Sequence, residues 1–468
     1  MPPYAGAEAP AHEPANRLGE RRLMRILSIT AGAAGMYCGS CFRDNALARE
    51  LLSQGHDVTL MPVYTPTRTD EENVSRDDVL FGGISVYLQQ YSSLFRKTPW
   101  FLDRLWDSPR VIDAFAGRAV SSDARLLGDL TVSMLKGEQG ALRKEFDKLI
   151  EWTRDEPPPD VVNLPNSLLI AMAAPLTRAL RKPVFVTLQG EELFLDGLAS
   201  PYREQSLALI RSHIDAVDGF IAVSEYCAEF MRSYLGIPAP RISVVPLGID
   251  MSGYQAHQTG SGPFRIGYFA RIAPEKGLHV LAQAYVKLRQ RTDADVSRRS
   301  RRPGPPGPGG LRLDVAGYLA PTHAGYLRDA TRILEEAGLA AEFTYAGELD
   351  RNGKLSFLRR LDVLSVPATY DEPKGMFVLE AMASGVPVVQ PRRGAFTEVV
   401  EKTGGGVLVA VDDVEALADG LFRLWQDRDQ AAVLGSRAFA GVRQHYTIQQ
   451  SAMRLLEVYG ARTAAATP

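Results

Sequence analysis

Glu372 and Glu380 bracket a glycine-bearing loop and the start of a helix pattern, in the run Glu372-Pro373-Lys374-Gly375-Met376-Phe377-Val378-Leu379-Glu380. Carboxylates of this kind can hold sugar hydroxyls or face a positive charge that develops during bond cleavage. The first-turn N–H groups of Gly375, Met376 and Phe377 lack intrahelical partners and lie at the positive end of the helix dipole, which suits a phosphate. Arg271 and Lys276 add a guanidinium fork and an ammonium near another expected helix start, a pair able to neutralise developing leaving-group charge without a metal. Hydroxyls for one Glu, a diphosphate over the helix start and ribose hydroxyls for the other Glu together describe a nucleotide sugar.

Two further motifs invite a metal and do not complete one. Cys38-Gly39-Ser40-Cys41 supplies two of four zinc ligands, with no second pair or nearby His. Asp293-Ala294-Asp295 is a D-x-D triplet, and it is expected where a helix gives way to a disordered loop, not at the end of a strand.

The elements that must position these groups alternate regularly. Arg25–Thr30 is a short apolar strand, and Gly32 to Gly39 a glycine-rich turn before a helix pattern at Ala46, Leu47, Leu51 and Leu52. The glycine spacing departs from G-x-G-x-x-G, which argues against a dinucleotide, though backbone N–H groups at Gly35 can approach a phosphate closely. Strands are expected at 57–63, 84–90, 161–164, 184–188, 219–224 and 242–246, then at 265–270, 311–317, 342–347, 363–368 and 387–389, with helices between them. This is an α/β pattern of two doubly wound domains. Residues 1–23 read as a disordered extension without the apolar core of a signal peptide. An N-terminal domain covers 24–250 with a helical insertion at about 91–155, and 251–263 is a Gly/Ser/Gln-rich hinge. A C-terminal domain covers 264–445, interrupted by an Arg/Pro/Gly loop at about 292–310, and 446–468 is a final helix expected to cross back to the first domain.

Length and composition bound the class. A chain of 468 residues with 45% apolar content exceeds one compact core and can bury two. A net charge of −2 advertises no broad basic face, so no nucleic-acid partner is expected. Three cysteines exclude a disulfide framework and fit a reducing cytoplasm. No apolar run reaches the ~18 residues that a membrane span requires. In the 91–118 region Trp100, Phe101, Leu102, Leu105 and Trp106 lie close to Arg96, Lys97, Arg104 and Arg110. That mixture suits peripheral contact with the inner face of a membrane, but aromatic stripes at helical spacing are more often buried, which favours a core or acceptor-pocket helix.

The Glu372–Val389 stretch resembles, along its length, the E-x7-E segment of retaining GT-B glycosyltransferases of family 4 (glycosyl transferases group 1). Arg271 and Lys276 resemble that family's R-x4-K-G pair, Val186-Thr187-Leu188-Gln189-Gly190 its V-T-x-H-G turn, and Pro246-Leu247-Gly248-Ile249-Asp250 its P-N-G-V-D segment. The resemblance implies a GT-B architecture of two Rossmann-like domains facing each other across a cleft. It implies transfer of a sugar from a nucleotide-sugar substrate to an unidentified glycan, lipid or small-molecule acceptor, with retention and with no metal or other cofactor. It places Glu372 at the donor sugar, Glu380 at the ribose, and Arg271 and Lys276 at the diphosphate, with Gly35, Gly375, Met376 and Phe377 lining the donor. Gln189 stands where the family commonly has a catalytic His, and an amide keeps hydrogen bonding while losing titration. That exchange leaves open a non-catalytic nucleotide-sugar-binding or regulatory protein. A same-fold nucleotide-sugar epimerase is also open, although E-x7-E together with R-x4-K favours transfer.

Overall fold

The computed structural model of the protein describes residues 23–32, 39–81, 124–256, 262–299 and 310–465. Residues 1–22, Gly35, Cys38, the strand expected at 84–90, the 91–118 stretch and most of the Arg/Pro/Gly loop lie outside the described residues.

Two six-stranded parallel sheets carry the architecture. The first contains β1 (Arg25–Thr30), β2 (Asp57–Pro62), β3 (Val161–Leu164), β4 (Val184–Leu188), β5 (Gly219–Ala222) and β6 (Ile242–Val244), in the order β2-β1-β3-β4-β5-β6. The second contains β7 (Phe264–Phe269), β8 (Leu311–Ala316), β9 (Phe343–Tyr345), β10 (Val363–Leu364), β11 (Val388–Pro391) and β12 (Gly406–Val409), in the order β12-β11-β10-β7-β8-β9. In both, the order reverses direction beside the first strand, as in doubly wound folds, where ligands bind beyond the carboxyl ends of the strands.

Helices on both faces explain the apolar strand sequences. Every residue of β3, β4, β5 and β11 is buried, whereas the edge strands β6, β9 and β12 are half-buried and shorter on average. Alternation still assigns faces. Ile26, Val161, Phe185 and Ile221 meet the helices Gly39–Ser53 and Ile448–Ala465, while Leu27, Val162 and Val186 face the opposite layer.

The chain's last helix therefore packs on the first sheet. Tyr459 is buried with its ring 5.0 Å from that of Phe185, and Arg454 Nε donates to the Val244 carbonyl at 3.3 Å. The entry to this helix is tied to the Pro246–Asp250 segment by Ile249 N–H to Tyr446 O (2.8 Å) and Ile448 N–H to Ile249 O (3.0 Å). Gly248 is required there, because a Cβ would lie 2.6 Å from Ile448 Cα.

Three expectations change. The helix expected to open over Arg271–Leu278 is instead a 3-10 turn, Pro274–Lys276, ended by Gly277 at φ 74°, and the long helix starts at Leu278. Proline fixes the first turn, and the left-handed glycine stops it where a Cβ would sit 1.9 Å from Pro367 O. That helix then runs to Arg299, so Asp293 and Asp295 are helical and not in a loop; Asp293 pairs with Arg289 one turn away and Asp295 accepts from Gln426 at 3.4 Å. The strand expected at 363–368 keeps its ladder only at Val363–Leu364, since Val366 N–H turns to the Gln390 side chain.

The docking of the final helix yields a prediction. Replacing Tyr459 by Ala should cost about 3–5 kcal/mol, the usual range for deleting a buried aromatic, read as a lowered urea midpoint of the unfolding transition that reports on the first sheet. An unchanged midpoint would mean that the helix covers the sheet without stabilising it.

Candidate active site

The strand ends of the two sheets face one cavity of about 330 Å³, within the size range of small-ligand pockets. The second sheet contributes Arg271 after β7, Tyr318 after β8, Glu348 after β9, and Glu372 with Lys374 after β10. The first contributes Gly39, Phe42 and Asp70.

At one part of the wall, Glu372 is 2% exposed and its Oε2 accepts from both Lys276 Nζ and the Tyr370 hydroxyl. Lys276 also donates to the Tyr370 oxygen at 2.7 Å and lies over the Tyr370 and Phe377 rings. Burial opposes ionisation of Glu372, but the Lys276 charge and the hydrogen bonds from Lys276 and Tyr370 outweigh it and hold the carboxyl at about 2. Burial pulls the Lys276 ammonium below its ordinary value, and the Glu372 carboxylate acts against that pull. The backbone of Glu372 is pinned by Ala395 N–H to Glu372 O at 2.8 Å, in a turn where a Cβ on Gly394 would meet the same oxygen at 2.4 Å.

The helix Met376–Ala383 begins after Gly375 at φ 68°. Its anion-binding capacity is narrower than the sequence implies. Gly375 N–H already points to Glu372 Oε1 at 3.4 Å, beside Lys374 N–H at 3.3 Å, which leaves Met376 and Phe377 as the first-turn residues on the cavity wall. Glu380, one turn on, is 8% exposed and accepts from Lys354 Nζ at 2.8 Å. Burial pushes its carboxyl up, with Lys354 opposing.

Not all expected groups converge. Arg271 lines the cavity, half-exposed, with its guanidinium 3.1 Å from Glu275. Gln189 does not line it: the side chain is 4% exposed and Nε2 donates to Pro165 O at 2.9 Å and Asp44 Oδ1 at 3.4 Å. Cys41 is buried near Thr30, and no cluster of three or more potential metal-ligating His, Cys, Asp or Glu exists among the described residues.

Several participants had no signal in the sequence. Tyr370, Lys354 and Asp70 are single polar residues in ordinary surroundings, and only the fold brings them to the cavity. The contacts joining the two sheets are equally silent. Ser224 Oγ donates to Pro373 O at 2.8 Å, Lys374 Nζ lies 2.9 Å from Ser40 Oγ, and Arg68 pairs with Glu348 at 2.9 Å. Gly190 is needed under Pro373, since a Cβ would lie 2.7 Å from its Cγ. Glu192 follows two residues later, 7% exposed, with Oε2 unpartnered among the described residues. Burial and the neighbouring Glu191 charge push its carboxyl up to about 7.

Residues 255–440 match the family described as Glycosyl transferases group 1, and residues 131–252 match Glycosyltransferase Family 4. The lipopolysaccharide core biosynthesis mannosyltransferase LpsB of Rhizobium meliloti is 28% identical over 260 residues, covering 53% of this chain and 66% of that protein. The phosphatidyl-myo-inositol mannosyltransferase of Mycobacterium tuberculosis is 29% identical over 264 residues, covering 54% and 61%. The D-inositol 3-phosphate glycosyltransferase of Nocardia farcinica is 28% identical over 257 residues, covering 53% of each. The chain thus spans between about half and two thirds of the length of these curated relatives. Among solved structures, the sucrose-phosphate synthase of Thermosynechococcus elongatus aligns with a TM-score of 0.66 at 18% identity, over 94% of this chain and 100% of that one. HepE of Anabaena in complex with UDP aligns at 0.63 and 16%, over 94% and 100%. These likenesses show the GT-B fold. No helix among the described residues is long and apolar enough to cross a membrane.

Glu192 gives a pH prediction with a definite sign. Its folded-state value lies above the ordinary 4.5, so the unfolded chain releases the proton first. Its cost to stability appears as pH rises through 4.5, and it is complete above about 7. Glu192→Gln should therefore gain stability relative to wild type between pH 5 and 8, on the order of 3 kcal/mol. The measurement is the difference in urea midpoints at the two pH values, and a difference independent of pH would contradict the assignment.

Proposed function

Because the chain belongs to the group 1 and family 4 glycosyltransferases, we propose that it transfers a sugar from a nucleotide-sugar donor to an acceptor hydroxyl, with retention at the anomeric carbon and without a metal. The observation that carries this reading is the ionised Glu372, held by Lys276 in a cavity that also presents Arg271, Lys374 and Glu380. A carboxylate kept charged by its surroundings is preorganised for the positive charge that grows on the sugar ring.

In the proposed step the anomeric C–O bond to the diphosphate breaks and its electron pair leaves with the phosphate. The acceptor oxygen bonds to the anomeric carbon on the same face, and its proton passes to the departing phosphate. Arg271, Lys276 and Lys374 supply the positive charge that stabilises that leaving group, with Met376 and Phe377 N–H groups beside them. Glu380 takes the ribose hydroxyls at the other end. The inositol, phosphatidylinositol and lipopolysaccharide words in the relatives' names support a hydroxyl-bearing glycan, lipid or small-molecule acceptor, and the UDP complex of the structural neighbour supports a nucleotide in the cavity.

A screen of UDP-, GDP- and ADP-sugars by nucleotide release tests the activity, and it should continue unchanged in EDTA. Loss in EDTA with recovery on manganese would contradict the metal-free reading. Glu372→Gln should lower kcat about 100- to 1,000-fold with little change in nucleotide affinity, the effect of deleting one transition-state electrostatic partner. Glu380→Ala should chiefly raise the donor KM. The reverse pattern would show that the two carboxylates have been assigned the wrong ends. Tight donor binding with no turnover of any donor would favour the non-catalytic alternative.

A further inference from the structure

Lys354 does not serve Glu380 alone. Its Nζ lies 2.8 Å from Glu380 Oε1 and 2.6 Å from Asp70 Oδ2, and the side chains of all three are 10% exposed or less. Glu380 belongs to the Met376–Ala383 helix of the second domain, Asp70 to the loop after β2 of the first. One ammonium thus holds two carboxylates from opposite sides of the cleft, and both carboxylates line the cavity.

The bonding pattern leaves acceptor capacity on each. Lys354 engages one oxygen of Glu380 and one of Asp70, and neither remaining oxygen has a hydrogen-bond partner among the described residues. Both residues line the cavity. Burial disfavours the Lys354 charge, but Glu380, Tyr254 and Asp70 more than offset it, so the ammonium persists between the two carboxyl groups.

The Asp70 side is also rigid. Buried Asn45 donates to Glu72 O at 2.8 Å and accepts from Val74 N–H at 2.9 Å, and Asn73 closes the same loop on Thr67 O at 3.0 Å. Glu71 is held by Arg351 at 2.7 Å, from the helix that carries Lys354. Asp70 thus sits on the cavity wall within a loop whose neighbouring residues are hydrogen-bonded on both sides of it.

We propose that Asp70 and Glu380 together grip the vicinal diol of the donor's ribose, one hydroxyl to each carboxylate, with Lys354 as the positioning residue between them. This rests on the reading of Glu380 as the ribose residue and adds a second, specificity-determining carboxylate from the other domain. Adjacent ring hydroxyls lie close enough to reach two carboxylates anchored on a single nitrogen. Each hydroxyl donates to a charged acceptor, an interaction worth about 10- to 100-fold in affinity. Binding of the nucleoside end then couples to closure of the cleft, because its two contacts come from different domains.

The test is calorimetry on the full chain, using whichever of UDP, GDP or ADP the wild-type protein binds most tightly, together with its 2′-deoxy and 3′-deoxy forms. Wild type should bind both deoxy forms about 10- to 100-fold more weakly. Asp70→Ala should abolish the discrimination against one deoxy form and keep it against the other, and Glu380→Gln should do the converse. Asp70→Asn, which preserves shape, should show the Asp70→Ala pattern in weaker form and guards against a folding defect. Equal weakening of all three ligands by Asp70→Ala would reduce Asp70 to a closing contact and overturn the proposal. Loss of discrimination in Glu380→Gln alone would overturn it too, while leaving Glu380 at the ribose. A wild-type protein indifferent to both deoxy forms would remove the ribose reading together with the proposal.

Discussion

The buried ion pair between Lys276 and Glu372 sets the terms for the rest of this site. Each charge offsets the other's burial, and removing one partner of a buried pair typically costs about 3–5 kcal/mol. Each partner is consequently fixed from its own side. The Pro274–Lys276 turn and left-handed Gly277, seated on Pro367, aim Lys276 inward, while Gly394 and Ala395 clamp the Glu372 backbone. Tyr370 completes the set by donating to the same carboxylate oxygen that Lys276 engages. What results is a buried carboxylate that remains ionised, where its field is felt most strongly by a cation forming nearby.

A second constraint follows from placing that pair at the ends of parallel strands. The cavity needs a second wall, which the first sheet supplies through polar contacts such as Ser224 to Pro373 and Lys374 to Ser40. Interfaces of this polar kind within a chain permit relative motion of domains. The final helix limits that freedom, because it starts beside the second domain's last elements yet buries Leu455, Val458 and Tyr459 on the first sheet.

Much of this was legible from residue order. Two doubly wound domains follow from apolar strands alternating with helical periodicity, and the loop from Glu372 to Gly375 announces itself because a carboxylate, a proline and a glycine precede an apolar helix. Legibility ended where chemistry depends on distant neighbours. Nothing around Lys354 or Asp70 in the chain marks them, since their meaning lies in a shared nitrogen between two domains. Gln189 shows the limit of a motif position: its side chain donates to the Pro165 carbonyl, a partner that the order of residues does not announce. The helix start expected near Arg271 and Lys276 falls instead at Leu278, because Pro274 and the left-handed Gly277 confine the preceding residues to a separate turn.

We propose that the buried Glu372, paired with Lys276, supports cleavage of a nucleotide sugar with the acceptor oxygen bonding on the face from which the phosphate leaves. Time-resolved proton NMR of slow donor hydrolysis tests it most directly, because water can replace the acceptor. The sugar released by the wild-type protein should appear first with the anomeric coupling of the donor, before mutarotation sets in. First appearance of the opposite anomer would contradict the account.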